Sequence, residues 1–86
     1  MAIDILVLIQ EDCAFCDHAQ AVLARLQREF DLTVTSLEIN SEEGAQLATE
    51  GGIMFPPGIF VADQPFSYGR LSERKLRKRL DETRGG

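Results

Sequence analysis

Cys13 and Cys16 are the two cysteines of an 86-residue chain, and they stand as Cys13-Ala14-Phe15-Cys16 where the apolar run from Ile5 to Ile9 gives way to helical spacing. Two thiols one helical turn apart can close a disulfide or share a metal. A thiol at a helix start faces the partial positive charge of unpaired N–H groups, which favours the thiolate, the form that attacks disulfides. A redox-active dithiol is therefore the leading reading. The alternatives are two buried structural cysteines or half of a zinc or copper site. A closed zinc site needs four ligands, and beyond these two the chain offers only His18 and carboxylates.

The elements that must position the pair follow from hydrophobic spacing. Ile3 to Ile9 is nearly continuous aliphatic sequence, as expected of a strand covered on both faces, and Gln10-Glu11-Asp12 ends it. From about Ala14 to Phe30 the apolar residues Ala19, Val22, Leu23, Leu26 and Phe30 recur three or four apart, the signature of one helix face. Leu32 to Ile39 reads as a second strand. Asn40, with Glu43 three residues on, reads as the cap of a short acidic helix that Gly51-Gly52 stops. Gly58 to Ala62 is a third strand, and the turn Ala62-Asp63-Gln64-Pro65 leads into a short fourth, Phe66 to Tyr68. Ser72 caps a last helix, with Leu71 packing on Leu76 as a hydrophobic staple and Leu80 one turn beyond. The order is β-α-β-α-β-β-α in a single domain over residues 1–82, followed by a flexible tail, residues 83–86.

Length and composition narrow the classes. One possible disulfide cannot staple a small secreted scaffold, so the chain must hold together by its core. Neither a signal-peptide pattern nor an apolar run of membrane-spanning length is visible, which makes a cytoplasmic, reducing compartment the default expectation. Charge is unevenly spread: eleven acidic residues against Arg25 and Arg28 up to Asp63, then seven basic against three acidic. The basic stretch Arg74 to Arg79 lacks interleaved aromatics and reads as the solvated face of a helix, so no nucleic-acid partner is expected. No membrane partner is expected either, and the chain is read as a monomer.

With these residues placed, the chain resembles the thioredoxin superfamily in the short form shared by glutaredoxins and small archaeal thioredoxin-like proteins. The resemblance rests on Cys13-x-x-Cys16 between strand and helix, and on the order of elements. It rests also on the segment Gly52-Ile53-Met54-Phe55-Pro56-Pro57-Gly58-Ile59-Phe60-Val61 and on Tyr68-Gly69 before the last helix. It implies an α/β thioredoxin-like fold with a four-stranded mixed sheet flanked by helices on both faces. It also implies a thiol-disulfide oxidoreductase with no cofactor beyond the Cys13–Cys16 disulfide and no metal. Its partners would be disulfide-containing proteins and a thioredoxin reductase-like or low-molecular-weight thiol reductant.

By the same resemblance, Cys13 is the nucleophile and Cys16 the resolving thiol, while Phe15, Pro56, Pro57, Tyr68 and Gly69 contact substrate. One proline of the pair is expected to be cis. The position matches Pro57, and Pro56 would shift the register by one. Pro56 has no N–H, so if Pro57 is the cis residue, the position before it offers a substrate only its carbonyl. Phe15 suits a glutaredoxin motif, and a glutathione-dependent glutaredoxin is the alternative activity. Against it, Gln10, Glu11 and Asp12 stand where a basic residue would meet a glutathione carboxylate, and Tyr68-Gly69-Arg70-Leu71-Ser72 lacks the double glycine and acidic residue for its other end. Val7 stands where thioredoxins place a buried acid, leaving the proton acceptor unassigned. The closing Arg84-Gly85-Gly86 resembles the end of ubiquitin-like and sulfur-carrier proteins, but those folds open with a hairpin and this chain does not.

Helix-dipole stabilisation lowers the Cys13 pKa, whereas Glu11, Asp12 and Asp17 raise it by repelling the thiolate. No lysine or arginine adjoins the motif. The expectation is a pKa of about 7 or higher, far from the values near ~3.5 of strong oxidants. A reductant follows, with a potential below about −200 mV.

Overall fold

The computed structural model describes residues 2–85. In chain order the elements are β1 (Ile3–Ile9), α1 (Ala14–Leu26), β2 (Leu32–Glu38), α2 (Glu42–Gly51), β3 (Gly58–Val61), β4 (Gln64–Tyr68) and α3 (Glu73–Gly85). The strands form one sheet in the order β2-β1-β3-β4, with β1 parallel to β2 and antiparallel to β3, and β3 antiparallel to β4. This is the mixed four-stranded α/β sheet that the resemblance implied.

Alternation along the two central strands explains why both faces are covered. Ile5 and Val7 of β1 and Ile59 and Val61 of β3 join Ala19, Val22, Leu23 and Leu26 of α1 and Leu76 and Leu80 of α3 in one core. Leu8 and Phe60, pointing the other way, meet Ala48 of α2 and Ile53 in a second. A fully buried leucine is worth roughly 1.5–3 kcal/mol, so the doubly covered β1 anchors the domain. Leu71 and Leu76 are both buried, and Ser72 accepts a hydrogen bond from the Lys75 N–H (3.2 Å), so α3 starts as its sequence predicts. Ion pairs tie α3 back across the surface. Glu73 joins Arg25 (2.8 Å) and Arg77 (3.4 Å), and Arg77 also reaches Glu29 (2.6 Å). The hydrogen bond from Arg25 is the main reason the Glu73 carboxyl is held below its ordinary pKa.

Four boundaries differ from the sequence reading. Helix α1 ends at Leu26, and Phe30 lies beyond it yet still buried, because its N–H bonds the Leu26 carbonyl (2.9 Å) and brings the chain back onto the core. The cap of α2 is Ser41 rather than Asn40. Ser41 Oγ accepts from the Gly44 N–H (3.0 Å) and donates to the Glu38 carbonyl (2.7 Å), so glycine stands where a capping box would place Glu43. The β3–β4 loop is the two residues Ala62 and Asp63, both at positive φ (49° and 67°) as a type I′ turn requires; β4 therefore starts at Gln64 and takes in Pro65 on a sheet edge. Finally, α3 continues through Thr83 and Arg84 to Gly85, into the segment read as a tail. There Thr83 Oγ1 donates to the Arg79 carbonyl and the Arg84 guanidinium lies 4.4 Å from the centre of the Phe30 ring. Gly86 lies outside the described residues.

Candidate active site

Sheet register brings the chemistry together. Leu8 pairs with Gly58, Gly58 with Tyr68, and Ile9 with Glu38, so one end of the sheet carries the exit of β1 towards Cys13, the entry to β3 from Pro57, and the exits of β2 and β4. The other sheet end carries Asp4 and the Ala62-Asp63 turn, away from the thiols.

Cys13 and Cys16 are joined as a disulfide with their Cα atoms 5.2 Å apart. Cys13 is the N-cap of α1: its backbone is extended (φ −117°, ψ 103°), and its Sγ accepts a hydrogen bond from the Cys16 N–H at 3.1 Å. The geometry has a local cause. The first N–H groups of a helix lack internal partners, and here a sulfur fills the place usually taken by a serine or aspartate oxygen. Cys13 is partly exposed, whereas Cys16 is buried (4 % exposed) on the α1 face that meets the core. On reduction the same N–H and the helix terminus stabilise negative charge on Cys13 Sγ. Glu11, Asp12 and Asp17 are all exposed around it and oppose that effect.

The Pro56–Pro57 peptide bond is cis, so the cis residue is Pro57, and the Pro56 register is set aside. Pro57 is buried, and its carbonyl accepts from the Gly69 N–H at 2.9 Å, tying the entry of β3 to the exit of β4. Gly69 is required there. Its φ is +76°, and a Cβ at this position would sit 2.7 Å from the Phe55 ring. Phe55 in turn meets Tyr68 edge-to-face, with ring centroids 5.1 Å apart at 85°. Phe15, in the first turn of α1 between the two cysteines, is 47 % exposed.

Two residues of this end escaped the site predicted from sequence. Met54 and Phe55 are 74 % and 51 % exposed, and with Phe15 and Tyr68 they are the exposed large apolar side chains among the described residues. Their signal was present in the sequence: a loop that reads Ile53-Met54-Phe55 ahead of two prolines is more apolar than solvent favours. His18, by contrast, sits two residues past Cys16 and so roughly 200° round the helix from it. Its ring lines a hollow of about 420 Å³ with Arg70, Leu71, Ser72 and Glu73, and its Nδ1 is buried without a hydrogen-bond partner. Among the described residues no three His, Cys, Asp or Glu side chains are grouped to hold a metal ion. Nor is any polar or charged residue counted among the buried ones, and Val7 fills the place of an internal acid with no exposure at all. No described helix is long and apolar enough to cross a membrane.

No protein-family model matches the chain. A curated protein of Archaeoglobus fulgidus named as a probable thioredoxin is 27 % identical over 74 residues, spanning 86 % of this chain and 81 % of its own. Among solved structures, a variant thioredoxin from Halobacterium salinarum superposes with a TM-score of 0.68 at 18 % identity, over 93 % of this chain and 73 % of that one. The oxidised form of thioredoxin O2 from Arabidopsis thaliana gives 0.70 at 12 % identity, over 94 % and 74 %. At such identities the structural likeness speaks for the fold, and the Cys-x-x-Cys disulfide at the mouth of α1 speaks for the chemistry. Taken together with the similarity to the probable thioredoxin of Archaeoglobus fulgidus, they give the chain a thioredoxin-like fold and the chemistry of a thiol-disulfide oxidoreductase.

Proposed function

We propose that the chain works mainly as a reductant of protein disulfides, with Cys13 as nucleophile and Cys16 as resolving thiol. The observation that carries this is the asymmetry of the pair: Cys13 is partly exposed and its Sγ is hydrogen-bonded by a helix N–H, whereas Cys16 is buried. Cys13 thiolate attacks one sulfur of the substrate disulfide; a Cys13–substrate disulfide forms and one substrate thiolate leaves. Cys16 then loses its proton and attacks Cys13 Sγ, releasing the second substrate thiolate and closing Cys13–Cys16. Two electrons pass to the substrate. With no carboxylate buried among the described residues, the thiolate released in the first step takes the Cys16 proton. An external dithiol or low-molecular-weight thiol supplies the two electrons that reopen the disulfide, as a reducing compartment such as the cytoplasm would allow.

Phe15, Pro56, Pro57, Tyr68 and Gly69 form the substrate-facing surface in this reading. Pro56 accepts but does not donate, so side-chain contact must replace a backbone donor that other residues would offer at that position. The acidic rim disfavours glutathione, which carries net negative charge. The test is to assay reduction of insulin disulfides and of a glutathione mixed disulfide side by side, with thioredoxin reductase or glutathione as electron source. Insulin reduction is expected to dominate, and activity confined to the glutathione substrate would overturn the assignment.

A further inference from the structure

The sheet end that carries the dithiol is graded in charge from one side to the other. The strand order β2-β1-β3-β4 fixes the sequence of loops there. On the β2 side stand Glu42 and Glu43 in the first turn of α2, and next to them Glu11 and Asp12 on the loop into Cys13; all four are exposed. The β3 loop in the middle contributes Met54 and Phe55, which with Phe15 and Tyr68 make the apolar centre. Past β4 come Arg70, then Arg74 and Lys75 in the first turn of α3, all exposed. None of these acids or bases is in an ion pair among the described residues, whereas Glu73 is held by Arg25 and Arg77. β2 borders β1 and β4 borders β3, so a chain docked across this sheet end passes both flanks, and charges so exposed act on it most strongly at low salt.

We propose that this gradient selects and orients the substrate. The preferred substrate is a disulfide-bearing polypeptide segment with an apolar residue beside the reactive cysteine, a cation on one flank and an anion on the other. The apolar residue rests on Phe15, Met54, Phe55 and Tyr68, the cation faces Glu11, Asp12, Glu42 and Glu43, and the anion faces Arg70, Arg74 and Lys75. A segment laid down the other way meets like charge on both flanks. Because Pro56 withholds a backbone donor, orientation rests on side chains to a greater degree than backbone pairing would require. The proposal depends on the reductase reading and adds its specificity.

Four synthetic peptides test it, each with the same aromatic residue beside a cysteine disulfide-linked to a chromogenic thiol, and with Lys/Glu, Glu/Lys, Lys/Lys or Glu/Glu flanks. At low ionic strength one mixed peptide should be reduced with a kcat/KM at least about tenfold above the other, the two uniform peptides falling between, and the spread should shrink in high salt. In Arg70→Glu/Arg74→Glu/Lys75→Glu the Lys/Lys peptide should become the best substrate; in Glu42→Lys/Glu43→Lys/Glu11→Lys, the Glu/Glu peptide. If the parent reduces both mixed peptides within twofold of each other, the orientation proposal is wrong and the reductase reading stands. If the parent reduces none of the four while insulin is reduced, the proposed substrate class is wrong. No reduction of either removes both readings.

Discussion

Cys13→Ser should lower the rate of protein-disulfide reduction on the order of a thousandfold or more, and Cys16→Ser should instead stall the protein as a covalent complex with its substrate. The asymmetry follows from burial. Cys13 is the partly exposed cysteine and its Sγ receives the Cys16 N–H, so in the proposed mechanism it begins exchange, and a serine hydroxyl there is un-ionised near neutral pH and cannot take its part. Cys16 is buried, with its sulfur bonded to that of Cys13. Removing it leaves the first step intact and the second without a nucleophile. Mass spectrometry after mixing Cys16→Ser with an oxidised protein substrate should find the two chains joined through Cys13, released by dithiothreitol. A complex formed equally well by Cys13→Ser would reverse the assigned roles. Equal activity of all three proteins would remove the dithiol from the chemistry.

Gly44→Ala is the substitution expected to hurt stability against the usual trend. In an exposed helix, alanine is better than glycine by about 1 kcal/mol. Gly44, however, is buried where the first turn of α2 presses on the end of β2, and a Cβ there would run into the Glu38 carbonyl oxygen and the Ser41 hydroxyl. Those two atoms are themselves hydrogen-bonded to each other, and Ser41 also holds the Gly44 N–H, so the crowding strikes the cap that starts the helix. Accommodating the methyl means shifting the helix start and weakening that cap. Overpacking of this kind costs roughly 1–3 kcal/mol, which should appear as a lower urea midpoint with an unchanged slope. A midpoint equal to or above the parent's would show that α2 is not seated on β2 as described.

Much of the architecture was legible because the forces that set it are periodic. Ile3 to Ile9 is apolar on successive residues because β1 buries both of its faces, and Ala19, Val22, Leu23 and Leu26 fall on one stripe because α1 buries only one. The dithiol was legible because its two residue types are rare in the chain and its place at a strand-to-helix junction is local information. What escaped was set by contact between distant segments. Ser41 rather than Asn40 caps α2 because the chain must also meet the Glu38 carbonyl, and Gly44 permits that approach. Met54 and Phe55 have the composition of core residues, and only the sheet register, which closes that end with Pro57 and Gly69, leaves them facing solvent. Likewise, Arg84 reads as tail until Phe30, more than fifty residues earlier, gives its guanidinium a ring to rest on.

In the proposed function this dithiol gives electrons rather than takes them. Its most direct test is the equilibrium between Cys13–Cys16 disulfide and dithiol in defined dithiothreitol buffers, read by alkylation and mass. Helix-end stabilisation of the Cys13 thiolate, opposed by Glu11, Asp12 and Asp17, places the midpoint below about −200 mV. A midpoint near about −120 mV, typical of a dithiol that oxidises its partners, would contradict it.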